Sequence, residues 1–598
     1  MTENQKNSVS ESVNPIDTVI LELIESLKTA KTVVFCGAGI SLHSGLPLAN
    51  DLVRYVLKKI KVSEEETETI LNSNIPFEAF IESLRLNSNV ERIFDIFEIG
   101  EPNNNHFLLA KMVKAGYLKT ICTSNFDQLI EKALESEGLL RGKDFQVFYK
   151  EDNLDHIDWD DNKIHLIKIH GSVEDRDNMA ITLQQVASEV LSEHRKGVIE
   201  YIFSKGVHKN VLVMGYSCSD IFDISPQIEA VRKNYKKVIY IDHHESERAV
   251  KDISSKSDKN PFKKFKGSQW VLYDTDELVR ALWDFYFHED DYLFSKSTKD
   301  SKKWEKCVDD WSLETDEKYS WEAKYNIAGD IFSKISEYKS ALKYFELALS
   351  VARDMGDKRG EALYLSNLGV NYDSLGDFHK AIEFYGQALS IAREIGEKQN
   401  EGNWLGNLGN TYYSLDDYHK AKVFYEQALN IARKIGDKQN EGSWLGNLGS
   451  IYDSLGDYYE AIEFYKQALA IFRPMLGDKH PNTKMFERNI SRIEKIIKDE
   501  RSYMMGKNVI CPECGKNDAT LEKVLFNKGG FVISAWQCSC GIIIFYSSTY
   551  DEFEEATNHS FPLKRTIPSS DPKTREKEMK EYADVMLYIT EAKKSQKK

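Results

Sequence analysis

What the 598-residue sequence lacks narrows its class. It has no excess of positive charge: 79 lysines and arginines stand against 95 aspartates and glutamates, a formal net charge of −16. General affinity for nucleic acid or for an anionic membrane surface is therefore not expected. No stretch reaches the roughly 18 apolar residues that a membrane-spanning helix needs, and the opening MTENQKNSVSESVNPID has no apolar core of the kind a secretory signal carries. A soluble, cytoplasmic protein is the expectation. Cysteine is scarce as well: of eight, Cys36, Cys122, Cys218 and Cys307 stand alone, while Cys511, Cys514, Cys538 and Cys540 cluster. In a reducing compartment the cluster reads as a metal site sooner than as disulfides.

What is present begins with short β-rich runs between residues 31 and 290: TVVFCG, LKTICTSN, HLIKIHG, NVLVMGYS, KVIYIDHH and WVLYDT. Longer helix-like sequence separates them, the pattern of a mainly parallel α/β sheet covered on both faces, Rossmann-like in class. Ligands of such sheets bind beyond the carboxyl ends of the strands, where several of these runs end in Gly, Asn, His or Ser. Residues 50–118 are richer in helical patterning and form either a helical insertion beside the cleft or helices that cover the sheet.

Beyond a charged stretch, STKDSKKWEKCVDDWS, the chain repeats itself. KQNEGNWLGNLG at Lys398 returns as KQNEGSWLGNLG at Lys438, a period of forty residues. Gly329, Gly369, Gly409 and Gly449 share a register, as do Ala341, Ala381, Ala421 and Ala461. Phe378, Ala381, Ile382, Tyr385, Ala388, Leu389 and Ala392 follow the spacing of one helix face. Each repeat thus reads as a helical hairpin in which small residues allow close approach and aromatic rings fill the adjoining space. The pattern resembles the tetratricopeptide family and implies an all-α solenoid whose concave surface receives a protein or peptide, the alternative being a spacer or oligomerisation arm. Near the C-terminus, CPECG and CSCG place two thiolate pairs around strand-like sequence, so Cys511, Cys514, Cys538 and Cys540 are expected to hold a structural Zn2+ in a small zinc-ribbon-like domain.

The chemistry concentrates in the first part. GAGIS follows a buried strand; Gly37 and Gly39 would let backbone N–H groups approach a pyrophosphate, although Leu42 stands where a dinucleotide fingerprint has its third glycine. Then come TSNFD, KIHGSV and GYSCSD in that order. Together with the GAGIS…SGLP loop, these segments resemble the sirtuin family over roughly residues 30–275. The resemblance implies NAD as the ligand, with Gly37, Ala38, Gly39, Ser41 and Ser44 around its phosphates, Gly215 and Ser217 on the other side, and Asp242 at the adenine ribose. It further implies Asn125 beside the nicotinamide ribose, Asp127 against the carboxamide and His170 as the group that takes a proton.

The sequence departs from sirtuin lysine deacylases, which carry four zinc-binding cysteines between the His-Gly pair and the Gly-x-Ser turn: residues 172–214 hold none. The strand that clamps an acyl-lysine peptide is not recognisable after Gly171 either. With no peptide in the cleft, water becomes the nucleophile, and the chain resembles the sirtuin-like NAD-hydrolysing domains of bacterial anti-phage proteins. The expectation is an NAD glycohydrolase that depletes NAD, regulated by its repeats as a sensor for a protein trigger, such as a phage protein, with self-association of the catalytic domains. Deacylation or ADP-ribosyl transfer on a repeat-docked protein, and a non-catalytic NAD-sensing scaffold, are the alternatives. The expected organisation is a disordered N-terminus over 1–16, a catalytic domain over 17–295, a connector over 296–319, repeats over 320–500 and the ribbon-like domain and tail over 501–598.

Overall fold

Strand β1 (Thr32–Cys36) lies inside an eight-stranded sheet in a computed structural model of the chain. The structure describes residues 21, 24, 32–73, 75–149, 151–179, 189–218, 224–232, 235–244, 246–256, 260–287, 303–478, 480–505, 520–526, 532–537, 539 and 543–547. The other strands of this sheet are β2 (Thr120–Thr123), β3 (Phe145–Phe148), β4 (Ile164–Lys168), β5 (Asn210–Met214), β6 (Lys237–His243), β7 (Ala249–Asp252) and β8 (Gln269–Tyr273). Their order is β3-β4-β2-β1-β5-β6-β8-β7, and every pair is parallel except β7 with β8.

β1 shows why the apolar runs are unbroken. Val34 and Cys36 face one core with Leu109, Ile121 and Leu212, while Val33 and Phe35 face a second core with Ile167, Val213 and Phe203. Both faces of the strand are covered, so alternation between apolar and polar residues has no place in it. The helix Asn104–Lys114 lends Leu108, Leu109, Met112 and Val113 to the first of these cores. The earlier helices Ala49–Lys59, Phe77–Asn87 and Glu91–Phe94 pack instead against the long helix Lys303–Lys334.

From residue 303 onward, the expected connector over 296–319 runs as part of that long helix. Trp304, Val308, Trp311 and Thr315 recur at helical spacing among the charges, and Trp311 is fully buried with its Nε1 donating to Ser88 Oγ at 3.0 Å. Asn326 hydrogen-bonds Asn87, and Lys334 donates to Ser83 Oγ at 2.8 Å. The chain divides into two compact units, Met1–Val351 and Ala352–Lys598, so most of the first helical hairpin groups with the sheet domain.

In the second unit, helices Lys358–Ser374, Phe378–Ile395, Lys398–Ser414, Tyr418–Ile435, Lys438–Leu455 and Tyr458–Leu476 pair as antiparallel hairpins, followed by Pro481–Met505. The glycines in register have a physical role there: a Cβ on Gly369, Gly409 or Gly449 would lie 2.7, 2.6 or 2.7 Å from the ring of Tyr385, Tyr425 or Tyr465. Each junction between successive hairpins also repeats one ion cluster, in which Glu361, Glu401 and Glu441 receive Lys358 with Arg353, Lys398 with Arg393, and Lys438 with Arg433.

Strands β9 (Thr520–Phe526), β10 (Val532–Gln537) and β11 (Ile543–Ser547) form an antiparallel sheet in the order β11-β10-β9. Cys511, Cys514, Cys538 and Cys540, expected to hold zinc, lie outside the described residues, as does the expected N-terminal segment 1–16.

Candidate functional site

The strand register sets where the site forms. Cys36 is level with Thr123 on one side and Met214 on the other, Thr123 is level with Lys168, and Met214 with Ile241. The residues that follow, Gly37, Ser124, Ile169 and Gly215, therefore leave the sheet side by side at its carboxyl edge, while β6 runs on through Asp242 and His243, level with Leu272 and Tyr273 of β8. The chain fills one half of the sheet from β1 outward and then crosses to β5 on the other side, so these loops flank a topological switch point, where α/β sheets bind ligands.

Gly37 and Gly39 act differently from the expectation that their amides face an anion. Gly37 N donates to Met214 O at 3.0 Å and Gly39 N to Gly215 O at 2.8 Å. The glycines bring two backbone turns into direct contact: a Cβ on Gly37 would lie 2.6 Å from Gly215 O, and one on Gly39 would lie 2.7 Å from Gly215 Cα. Ala38, the first residue of the short 3-10 turn Ala38–Ser41, is left exposed at the tip.

Ser41 is the centre of a buried polar cluster. Its hydroxyl donates to Asp127 Oδ2 at 3.0 Å, Asn125 Nδ2 donates to Ser41 Oγ at 3.2 Å, and His106 Nε2 lies 3.3 Å from the same oxygen. Asp127 Oδ1 accepts the N–H of Leu129, which ties the carboxylate to the start of helix Leu129–Ser136. Asn125 is 7 % exposed, and its Oδ1 has no hydrogen-bond partner among the described residues. Ser44 Oγ and Asn105 Oδ1, on the same loop and the adjoining helix end, are likewise buried and without a partner. Native interiors leave few such atoms, and here three lie around one turn.

A second buried group joins the TSNFD loop to the HGS loop. Lys168, fully buried at the end of β4, donates from Nζ to Asp127 O at 2.6 Å, Phe126 O at 3.3 Å, Ser172 Oγ at 2.9 Å and Glu131 Oε1 at 2.9 Å. Burial raises the carboxyl pKa of Glu131, and Lys168 opposes that rise. Val173 N donates to Phe126 O at 3.0 Å, and the rings of Phe126 and His170 lie 5.9 Å apart. His170 is thereby set next to the loop that carries Asn125 and Asp127.

The remaining expected residues spread along the same edge. Ser217 is exposed just beyond Gly215, whose φ is +63°. Asp242 is farther along: its Oδ2 accepts from Lys256 Nζ at 2.8 Å and from Trp270 Nε1 at 3.0 Å. Cys36 and Cys122 are buried thiols whose pKa values burial pushes upward, so neither is a ready nucleophile. Sequence reasoning passed over His106, Asn103, Asn105 and Lys168. Their traces were legible: NNNH ahead of an apolar helix is a capping pattern, and Lys168 is the single charge inside HLIKI.

A mainly parallel sheet with a buried Ser–Asn–Asp cluster at its switch point defines a doubly wound α/β domain. Residues 119–267 match the SIR2-like domain family, and residues 322–394, 400–474 and 440–495 match the tetratricopeptide repeat family. The chain thus joins a SIR2-like domain to tetratricopeptide repeats, as the order of motifs implied. Among similar proteins, the NAD(+) hydrolase ThsA of Acinetobacter baumannii is 29% identical over 209 residues, covering 34% of this chain and 39% of that protein. An NAD-dependent protein deacetylase of Oceanobacillus iheyensis is 35% identical over 96 residues, 16% of this chain and 37% of its own length. NAD-dependent protein deacetylase 2 of Caldanaerobacter subterraneus subsp. tengcongensis is 31% identical over 112 residues, 19% of this chain and 41% of its own. The chain therefore spans less than half the length of each of these relatives.

Proposed function

We propose that the protein is an NAD glycohydrolase, converting NAD and water to ADP-ribose, nicotinamide and a proton. The observation that carries this reading is Asn125: its amide nitrogen is held by Ser41, and its acceptor oxygen is buried with no partner among the described residues. An oxygen so placed costs about 1–3 kcal/mol while unpaired, and a ribose hydroxyl of NAD supplies the missing donor. Asp127 accepts one hydrogen bond on each oxygen and keeps further lone pairs for the nicotinamide carboxamide. Asp242 keeps Oδ1 for the adenine ribose while Lys256 and Trp270 hold Oδ2.

In this reading the bond between nicotinamide and ribose C1′ breaks with oxocarbenium character, and water closes on C1′. Asn125 fixes the ribose, Asp127 orients the leaving ring, and His170 takes the proton from a ribose hydroxyl or from the water. Ala38, Ser41, Ser44, Gly215 and Ser217 border the phosphates. The absence of cysteine from 172–214 and the likeness to an NAD hydrolase support water over an acylated peptide as the acceptor. The likeness to two deacetylases favours a second reading, removal of an acyl group from a protein docked on the repeats.

The biological role we propose is NAD depletion in defence against phage, by a cytoplasmic protein that self-associates and is silent until its repeats meet a protein trigger. Contacts within the first unit support such control. Arg92 pairs with Glu314 of helix Lys303–Lys334 and with Asp95, and Arg176, in the segment after His170, pairs with Glu91, Asp95 and Glu98. The test is to incubate the full chain with NAD, with and without an acylated peptide and before and after exposure to phage-infected lysate. Equal nicotinamide and ADP-ribose without peptide, lost in Asn125→Ala and His170→Ala, supports hydrolysis; strict dependence on peptide supports deacylation instead.

A further inference from the structure

The N-terminal end of helix Asn104–Lys114 is a part of the site that neither the motifs nor the proposed chemistry accounts for. Asn103 caps it, with Oδ1 accepting the N–H groups of Asn105 and His106, while Asn103 N donates back to His106 Nδ1 at 3.1 Å. The same residues grip the GAGIS loop: Asn103 Nδ2 donates to Ile40 O at 2.8 Å and to Leu42 O at 2.6 Å, and Asn105 Nδ2 donates to Ile40 O at 3.1 Å. His106 is fully buried, and burial holds its pKa down at about 4, so the ring is neutral at physiological pH.

A neutral imidazole has one donor and one acceptor, and its tautomer is set by its partners. Since Nδ1 accepts from Asn103 N, the ring proton sits on Nε2 and points at Ser41 Oγ. Ser41 Oγ then accepts from His106 and from Asn125 Nδ2, which fills both of its lone pairs and leaves its own proton for Asp127 Oδ2. The direction of each hydrogen bond follows from the one before it. Asn125 must turn its nitrogen to Ser41 and present Oδ1 to the ligand, and Asp127 must stay an acceptor.

We propose that His106 is a positioning residue for this site: through Ser41 it orients the Asn125 amide and the Asp127 carboxylate without touching the substrate. The inference rests on the reading of Asn125 as the residue that meets NAD. A purely structural His106 would matter for its Nδ1 cap on Asn103, whereas a positioning His106 matters for its Nε2 donor to Ser41. Two substitutions separate these functions, because glutamine reaches as far as Nε2 and can donate to Ser41 without the cap, while asparagine can accept from Asn103 N and is too short for Ser41.

The experiment compares His106→Gln, His106→Asn and Asn125→Ala in the full chain, reading melting temperature, nicotinamide release and the rise in melting temperature caused by NAD, which needs no turnover. The expected result is that His106→Gln keeps activity within about threefold and His106→Asn loses about tenfold or more in kcat/KM, together with most of the NAD-induced rise in melting temperature, although His106→Asn is the more stable protein. In a Ser41→Ala background the two His106 variants should differ less than about twofold, since coupled residues are not additive. Activity or NAD stabilisation that ranks His106→Asn equal to or above His106→Gln overturns the inference. If Asn125→Ala turns over and binds NAD as the unsubstituted chain does, the reading of the site fails first; if only the ranking fails, His106 alone is misassigned.

Discussion

Glycine is put to opposite uses in the two units. At the sheet edge, Gly37, Gly39 and Gly215 let backbone meet backbone, and a Cβ on Gly215 would strike the amide nitrogen of Ile40 while φ stays at +63°. In the repeats, Gly369, Gly409 and Gly449 let an aromatic ring meet a helix. Backbone cannot be trimmed by mutation and a ring can. The site is therefore the rigid, uncompensated part of the molecule, and the array is the part where a change on one helix can be answered on its neighbour, which is how a forty-residue unit can recur with small variations.

The largest effect is expected for Gly215→Ala, which adds the clash to the strain of a left-handed non-glycine residue, about 3 kcal/mol or more in sum. Calorimetry should show the first unit's transition lowered or lost, with NAD no longer stabilising it. Gly409→Ala should cost less, about 1–3 kcal/mol of overpacking against Tyr425, partly offset by the better helix propensity of alanine. Adding Tyr425→Leu should recover part of that loss. No side-chain substitution should recover Gly215→Ala, and finding one would break the contrast between the units.

Acid should separate the units next. Burial holds His106 and His208 at about 4, below the usual value near 6.5. Between those values the unfolded chain binds more protons than the folded one, so this stability is complete above pH 6.5 and is lost as the pH falls toward 4. At pH 5.5 each histidine is worth about 1 kcal/mol. In the repeats, Lys358 with Arg353 and Lys438 with Arg433 lower the pKa values of Glu361 and Glu441, and for Glu401 the pair Lys398 and Arg393 outweighs an opposing burial effect. Stability from these carboxylates is present above the unfolded value near 4.5 and lost only below it. Lowering the pH from 7 to 5.5 should thus move the first unit's melting transition and leave the repeat transition nearly in place; the reverse order would contradict the assignment of these groups.

The repeats were legible almost to the residue because each hairpin is decided by local spacing, and the registered glycines told where the rings go. Six strands of the main sheet were legible as apolar runs. β3 and β7 were not: both are edge strands, β3 interrupted by the polar Gln146 and β7 with Ala249–Lys251 only partly buried and Asp252 exposed. The helix through 303–319 was hidden by its charges, although Trp304, Val308 and Trp311 mark its buried face. Within the site, Ser41, Asn125 and Asp127 were legible from their motifs, and the structure joins all three in one hydrogen-bonded cluster. His106 was not, because a histidine 65 residues from its partner in sequence gains its role only when the helix end closes on the loop. The partners of the Gly37 and Gly39 amides are hidden for a related reason: which acceptor an N–H finds depends on the turn packed opposite, here Met214 O and Gly215 O.

The most direct test of the central claim is a crystal structure of the full chain with NAD bound. The account predicts a hydroxyl of the nicotinamide-side ribose at about 3 Å from Asn125 Oδ1, with His170 on the same ribose and the amide nitrogen of Asn125 still on Ser41. NAD bound with its nicotinamide end away from Asn125, or Asn125 Oδ1 satisfied by a protein group while NAD is in place, would contradict it.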